Sequence, residues 1–186
     1  IVEDSLKIDT SIPMLAEGFQ ASGYDTAGFV SATFVSRLYG FERGFDRFKD
    51  YELHTDKHNL NAEIDAKRLI DDAIEWRKQQ KSGDAAFLFL HFYDAHYEYA
   101  PPPPHDTLFD RAKTKNDIKY KNYFHHRKHP LSKTQMAHQI AQYDEGIHYV
   151  DTQLKRLNQA IEQAGREAIW IITSDHGEEF GERGTW

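Results

Sequence analysis

From Met136 to Ile161 the apolar positions Met136, Ile140, Tyr143, Ile147, Val150, Leu154, Leu157 and Ile161 alternate steps of four and three. That period predicts one long helix with an apolar stripe, closed by Gly165. A second amphipathic helix is expected from Asn61 to Gln80, where Ile64, Leu69, Ile70, Ala73, Ile74 and Trp76 recur between polar residues and Gly83 ends the pattern. A shorter one is expected over Ser11 to Ser22. Ser11 would be its N-cap, Pro13 would sit in its first turn and Gly23 would follow its end, with Ile12, Leu15, Ala16 and Phe19 on one face. Three runs lack helical periodicity and read as strands: Thr26 to Ser31, Ala85 to Tyr93 and Glu167 to Thr173. The last two are nearly unbroken apolar runs, the mark of strands covered on both faces of a parallel sheet. Phe34 to Phe48 carries Gly40, Phe41, Gly44, Phe45 and Phe48 without a period and reads as an irregular loop pinned by aromatics. Helices alternating with buried strands predict an α/β fold with a mostly parallel central sheet.

Length and composition narrow this picture. At 186 residues the chain suits one ordinary domain, so one compact body is expected. Its 39% apolar content, with twelve Phe, ten Tyr and three Trp, excludes a disordered polymer. No apolar stretch approaches the ~20 residues a membrane span needs, and no signal-peptide pattern opens the sequence. Without cysteine there are no disulfides, thiolate metal sites or cysteine nucleophile among these residues. A net charge of −7 argues against general nucleic-acid binding. Against that background Arg111, Lys113, Lys115, Lys119, Lys121, Arg127, Lys128 and Lys133 form a basic island, opposed only by Asp117. The island, an insertion around 105–133, reads either as a solvated excursion or as a contact for a polyanion.

The chemistry gathers where two apolar runs stop. His91, Asp94 and His96 lie at or beyond the end of one, ahead of the prolines Pro101 to Pro104; Asp175 and His176 end the other. Ligands of open α/β sheets bind outside the carboxyl ends of strands, so these two ends nominate one shared site. Asp175 and His176 are oxygen and nitrogen donors suited to a divalent cation if the turn at Gly177 lets both face one way; the alternative is a solvent-exposed hydrogen-bonded turn. His91 and His96 can donate to a developing oxyanion or act as general acids, or be structural strand-end histidines.

Several segments together resemble the sulfatase family of the alkaline-phosphatase superfamily. Ser174-Asp175-His176-Gly177-Glu178 with Phe180-Gly181-Glu182 is similar to that family's Ser-Asp-His-Gly-Glu segment, and His91-Phe92-Tyr93-Asp94-Ala95-His96 to its His-x-x-Asp-Pro-His segment. Ile12-Pro13 through Gly23-Tyr24-Asp25-Thr26, Gly40-Phe41 with Arg43-Gly44-Phe45-Asp46, and Tyr143 through Tyr149-Val150-Asp151 follow the family order. The resemblance implies an alkaline-phosphatase-like sheet flanked by helices, here truncated, with residues 1–186 as a partial catalytic domain. It implies a metal-dependent sulfuric ester hydrolase acting on a sulfate ester, sulfated polysaccharides included, with phosphodiesterase or phosphoglycerol transferase chemistry as the alternative within the superfamily. Outside the enzymes, the alternative is a polyanion-binding module. The implied cofactor is a divalent ion, calcium first, with Mg2+, Mn2+ or Zn2+ as substitutes. By the resemblance Asp175 and His176 are metal ligands, His96 contacts the sulfate and His91 is a second catalytic candidate. Glu178 and Glu179 read as residues behind the site or on the surface. Family habit points to a periplasmic, secreted or lysosomal-type setting.

The departures also set expectations. Ala95 stands where the family usually has proline, and the formylglycine nucleophile of a Cys-x-Pro-x-Arg segment has no counterpart in these residues. The sequence is therefore expected to be a fragment without turnover of its own. A sheet short of its first strand is expected to self-associate or to repack at the exposed edge.

Overall fold

The computed structural model describes residues 7–51, 65–81, 83–97, 99–110 and 131–182. Most of the basic island, 111–130, and the first residues of the expected second helix, 61–64, lie outside them. The chain divides into two compact units, Ile1–Tyr93 and Asp94–Trp186.

The first unit is built on a three-stranded parallel sheet in the order β2-β1-β3, with β1 at Asp25–Val30, β2 at Arg47–Lys49 and β3 at Ala86–His91. Val30 of β1 stands opposite His91, and Ala27 lies between Arg47 and Leu88. From Thr26 onward β1 is buried, as a central strand covered on both faces must be. β3 is parallel as expected but half-buried throughout, because it is an outer strand among the described residues.

Helix α1 spans Leu15–Ala21, four residues later than the expected start. The turn ahead of it explains the shift: Asp9 Oδ1 accepts from the Ser11 amide at 2.8 Å and the Asp9 carbonyl from Ile12 at 3.0 Å. Glu17 instead turns back to accept from the Met14 amide at 2.8 Å, satisfying a donor the helix start would orphan. Ile12 and Leu15 are therefore exposed, while Ala16 is buried and Phe19 stacks on Phe87 at 4.3 Å. Helix α2, Ala66–Gln79, starts at Asp65, whose Oδ1 accepts from the Arg68 amide at 3.0 Å. It buries Ala66, Leu69, Ile70, Ala73 and Trp76; all but Ala66 belong to the helical stripe read from the sequence, whose Ile74 is half-buried. Lys49 and Tyr51 both bond Asp72 Oδ2, at 2.8 and 2.7 Å, tying the end of β2 to α2.

The aromatic loop is more ordered than a bare irregular segment. It holds two 3-10 turns, Thr33–Val35 and Arg37–Tyr39, and then β2. Phe45 lies 5.5 Å from Phe48 and 6.0 Å from Phe87, whereas Phe34 is exposed. Gly44 has φ +79, and a Cβ there would stand 2.1 Å from the Glu17 nitrogen, so only glycine fits this approach to α1.

The second unit is organised by helix α3, Lys133–Gln163. Ser132 and Gln135 cap it reciprocally, Ser132 Oγ accepting from the Gln135 amide and Gln135 Oε1 from the Ser132 amide. At its end Arg166 donates to the Ile161 carbonyl and Gly165 to Glu162, the paired closure of a Schellman motif. The helix is as long as its period predicts, but its buried face is not the apolar stripe. His138, Gln139, Glu145, Tyr149, Gln153 and Leu157 are buried, while Ile140 and Ile147 are exposed. The reason is tertiary: the segment ending at Asp110 docks on the polar face, with Glu145 Oε1 accepting from the Phe109 amide at 2.8 Å and His138 Nδ1 lying 2.6 Å from Asp110 Oδ2.

The run Glu167 to Thr173 is not a strand among the described residues, correcting the sequence expectation. Ile169, Ile171 and Ile172 are 95%, 87% and 76% exposed. A strand exists only through its ladder, and this run has no ladder partner in the described sheet.

Candidate active site

Three of the residues nominated by the sequence meet in the second unit. The His96 and His176 rings stand 6.4 Å apart, nearly perpendicular, and Asp175 Oδ2 lies 3.8 Å from His176 Nε2. His91 closes β3 in the first unit, where its carbonyl accepts from both the amide and the hydroxyl of Ser31, at 3.1 and 2.9 Å.

Backbone carbonyls set the state of both imidazoles. His96 Nδ1 lies 2.6 Å from the Tyr97 carbonyl and His176 Nδ1 lies 2.8 Å from the Gly177 carbonyl. A carbonyl can only accept, so each Nδ1 carries the hydrogen, and in the neutral ring Nε2 bears the lone pair. The Gly177 carbonyl, and after it the Asp175 carboxylate, raise the His176 pKa above the ordinary imidazole value. Both side chains of the Asp175–His176 pair are open to solvent.

The two segments carrying these residues are fixed from behind. Gly146 of α3 lies against the Asp94 carbonyl, and a Cβ there would come within 2.9 Å of that oxygen. This glycine lets the turn bearing His96 lie directly on the helix. On the other side the buried Tyr99 donates its hydroxyl to Glu178 Oε2 at 2.5 Å. Tyr99, Tyr143 and Phe180 form a cluster with centres 5.3–5.7 Å apart. Burial, and then Glu178, hold the Tyr99 hydroxyl well above the usual phenol range, so it remains a donor.

A sulfatase family model matches residues 7–186. The chain belongs to the sulfatase family. Its fold is also similar to that of a solved structure, the lipoteichoic acid synthase LtaP from Listeria monocytogenes. That likeness has a TM-score of 0.51 at 21% identity and covers 83% of this chain and 34% of that one. The chain thus spans about a third of that protein's length. No curated protein sequence matches it significantly.

Within this sulfatase-family chain several of the segments that carried the resemblance are framework. Asp46 of Arg43-Gly44-Phe45-Asp46 accepts from the amide and hydroxyl of Thr26 at 3.0 and 2.9 Å, while Thr26 Oγ1 accepts from the Asp46 amide. That reciprocal clamp fixes the start of β1. Tyr143 belongs to the cluster behind the site. Sequence reasoning passed over Tyr99 and set Glu178 aside as a solvated or supporting carboxylate. The signal available was the tyrosine pair Tyr97 and Tyr99 flanking the proline run, but nothing in the sequence paired either with Glu178. The family typically uses a metal; among the described residues no group of three or more His, Cys, Asp or Glu is placed to hold one.

Proposed function

We propose that this chain contributes the metal and oxyanion side of a sulfuric ester hydrolase, with Asp175 and His176 as two ligands of a divalent cation and His96 facing the sulfate. The observation carrying this reading is the convergence of His96 and His176, both locked with Nδ1–H on a backbone carbonyl, beside Asp175. The chemistry of these two donors supports a divalent cation. Asp175 would supply an oxygen donor and His176 Nε2 a nitrogen donor, and these two atoms lie 3.8 Å apart. When bound, the cation supplies Lewis-acid stabilisation of charge on the ester oxygens.

The chain's own residues supply the rest. His176 presents Nε2, and its raised pKa lets a proton compete with a cation there as pH falls. His96, with its Nδ1–H held by the Tyr97 carbonyl, can place a proton on Nε2 and donate it to a sulfate oxygen or a leaving group. His91 enters the proposal as a second candidate acid, to be tested by His91→Gln. The Tyr99–Glu178 bond and the aromatic cluster keep the segment after Gly177 from wandering.

The test is NMR of the histidine ring protons during addition of calcium, then of sulfate or inorganic phosphate. Calcium is expected to move His176 in the wild-type chain but not in Asp175→Ala, and sulfate then to move His96. A His96 signal unmoved by either anion overturns the reading; one moved by phosphate alone replaces it with phosphorus-ester chemistry.

A further inference from the structure

A second pair of histidines lies away from Asp175 in sequence and contact. His105 opens the 3-10 turn His105–Thr107 after the proline run, and His148 is on α3; their Nδ1 atoms are 3.0 Å apart. The ring centres are 5.2 Å apart and the planes are inclined by 47°. Two imidazole nitrogens at this distance hold one hydrogen between them, one donating and the other accepting, which leaves no repulsion of lone pairs.

The elements on either side are anchored. The His105 amide donates to the Pro102 carbonyl at 2.9 Å, fixing the turn. Three residues along α3 from His148, on the same face, the fully buried Glu145 takes the Phe109 and Asp110 amides at 2.8 and 3.3 Å. His105 rests on the Tyr149 ring at 5.1 Å, and Phe109 meets the His148 ring edge-on at 6.2 Å. The pair is therefore placed by backbone and packing, while His148 remains exposed to solvent.

We propose that His105 and His148 form a second cation site, for a borderline first-row ion of the zinc type. With Zn–N bonds of ~2.0–2.1 Å and a tetrahedral angle, two bound imidazoles have centres roughly 5.2–5.3 Å apart and nitrogens about 3.3–3.4 Å apart. The ring centres already have that separation, and small rotations of the two rings supply the remaining few tenths of an ångström between nitrogens. The ion takes the place of the shared hydrogen, which passes through solvent to Nε2 of the donor ring, so both imidazoles stay neutral. Asp106, next in sequence, adds negative charge beside His105. Two neutral imidazoles with no carboxylate between them favour zinc, nickel or copper over calcium and magnesium, which prefer a mainly oxygen donor set. The other coordination positions remain for water or an incoming anion.

The experiment is calorimetric titration of ZnCl2 into the Asp175→Ala, His176→Ala double variant, and into that variant carrying His105→Gln or His148→Gln. Zinc is expected to bind the double variant with one saturable site, and either glutamine is expected to weaken it at least tenfold. Calcium is expected to show no binding in this background. Absence of zinc binding to the double variant overturns the proposal, as does a zinc isotherm unchanged by either glutamine.

Discussion

Gly44→Ala asks the aromatic loop to accept a methyl group for which it has no room. At φ +79 an alanine pays the left-handed penalty of about 1–2 kcal/mol. Its Cβ would also sit 2.1 Å from the Glu17 nitrogen and 2.5 Å from the Ala16 carbonyl carbon, backbone atoms of α1 that cannot swing aside. Forcing them apart adds ~1–3 kcal/mol on the scale of overpacked sites. Gly23 is the control, with φ +82 but nothing within 4 Å of its Cβ, so Gly23→Ala carries the conformational penalty alone. For a urea slope of ~2 kcal/mol/M, Gly44→Ala should unfold about 0.5–1.5 M earlier than Gly23→Ala. Urea titration followed by far-UV circular dichroism reads the difference. Equal midpoints would refute the claim that loop-to-helix contact, rather than backbone conformation, makes Gly44 obligatory.

Acid should weaken the clamp at the start of β1. The Gln20 amide, and then the Thr26 bonds, hold the Asp46 pKa below its ordinary value, so the folded pKa lies under the unfolded one of about 3.9. That contribution is complete above the unfolded pKa and is lost as pH falls through the folded one. Urea midpoints of the wild type should therefore drop in that range, and Asp46→Asn should begin lower and flatten the decline; parallel curves would remove Asp46 as the cause. Behind the candidate site, Tyr99→Phe deletes a hydrogen bond to a carboxylate, worth about 1.5–3 kcal/mol, while keeping the aromatic packing. Hydrogen exchange should quicken at the amides of 176–180 with little change in β1, and uniform protection in both proteins would contradict the anchoring role.

Sequence alone determined the elements whose cause is local. The alternation of threes and fours fixed a long helix because that spacing places side chains on one stripe whatever surrounds it, and Gly165 closes α3 with bonds inside a few residues. The apolar run before His91 fixed a parallel strand, and the ordered Asp-His and His-x-x-x-x-His segments fixed the family. Tertiary structure decided the rest, because burial depends on what arrives from elsewhere in the chain. It turned the polar face of α3 inward by docking 105–110 on Glu145 and His138. It left Ile169 to Ile172 exposed without a ladder, although their apolarity reads as a core strand. It paired Tyr99 with Glu178 across 79 positions, and His105 with His148 across 43, separations over which no periodicity carries information.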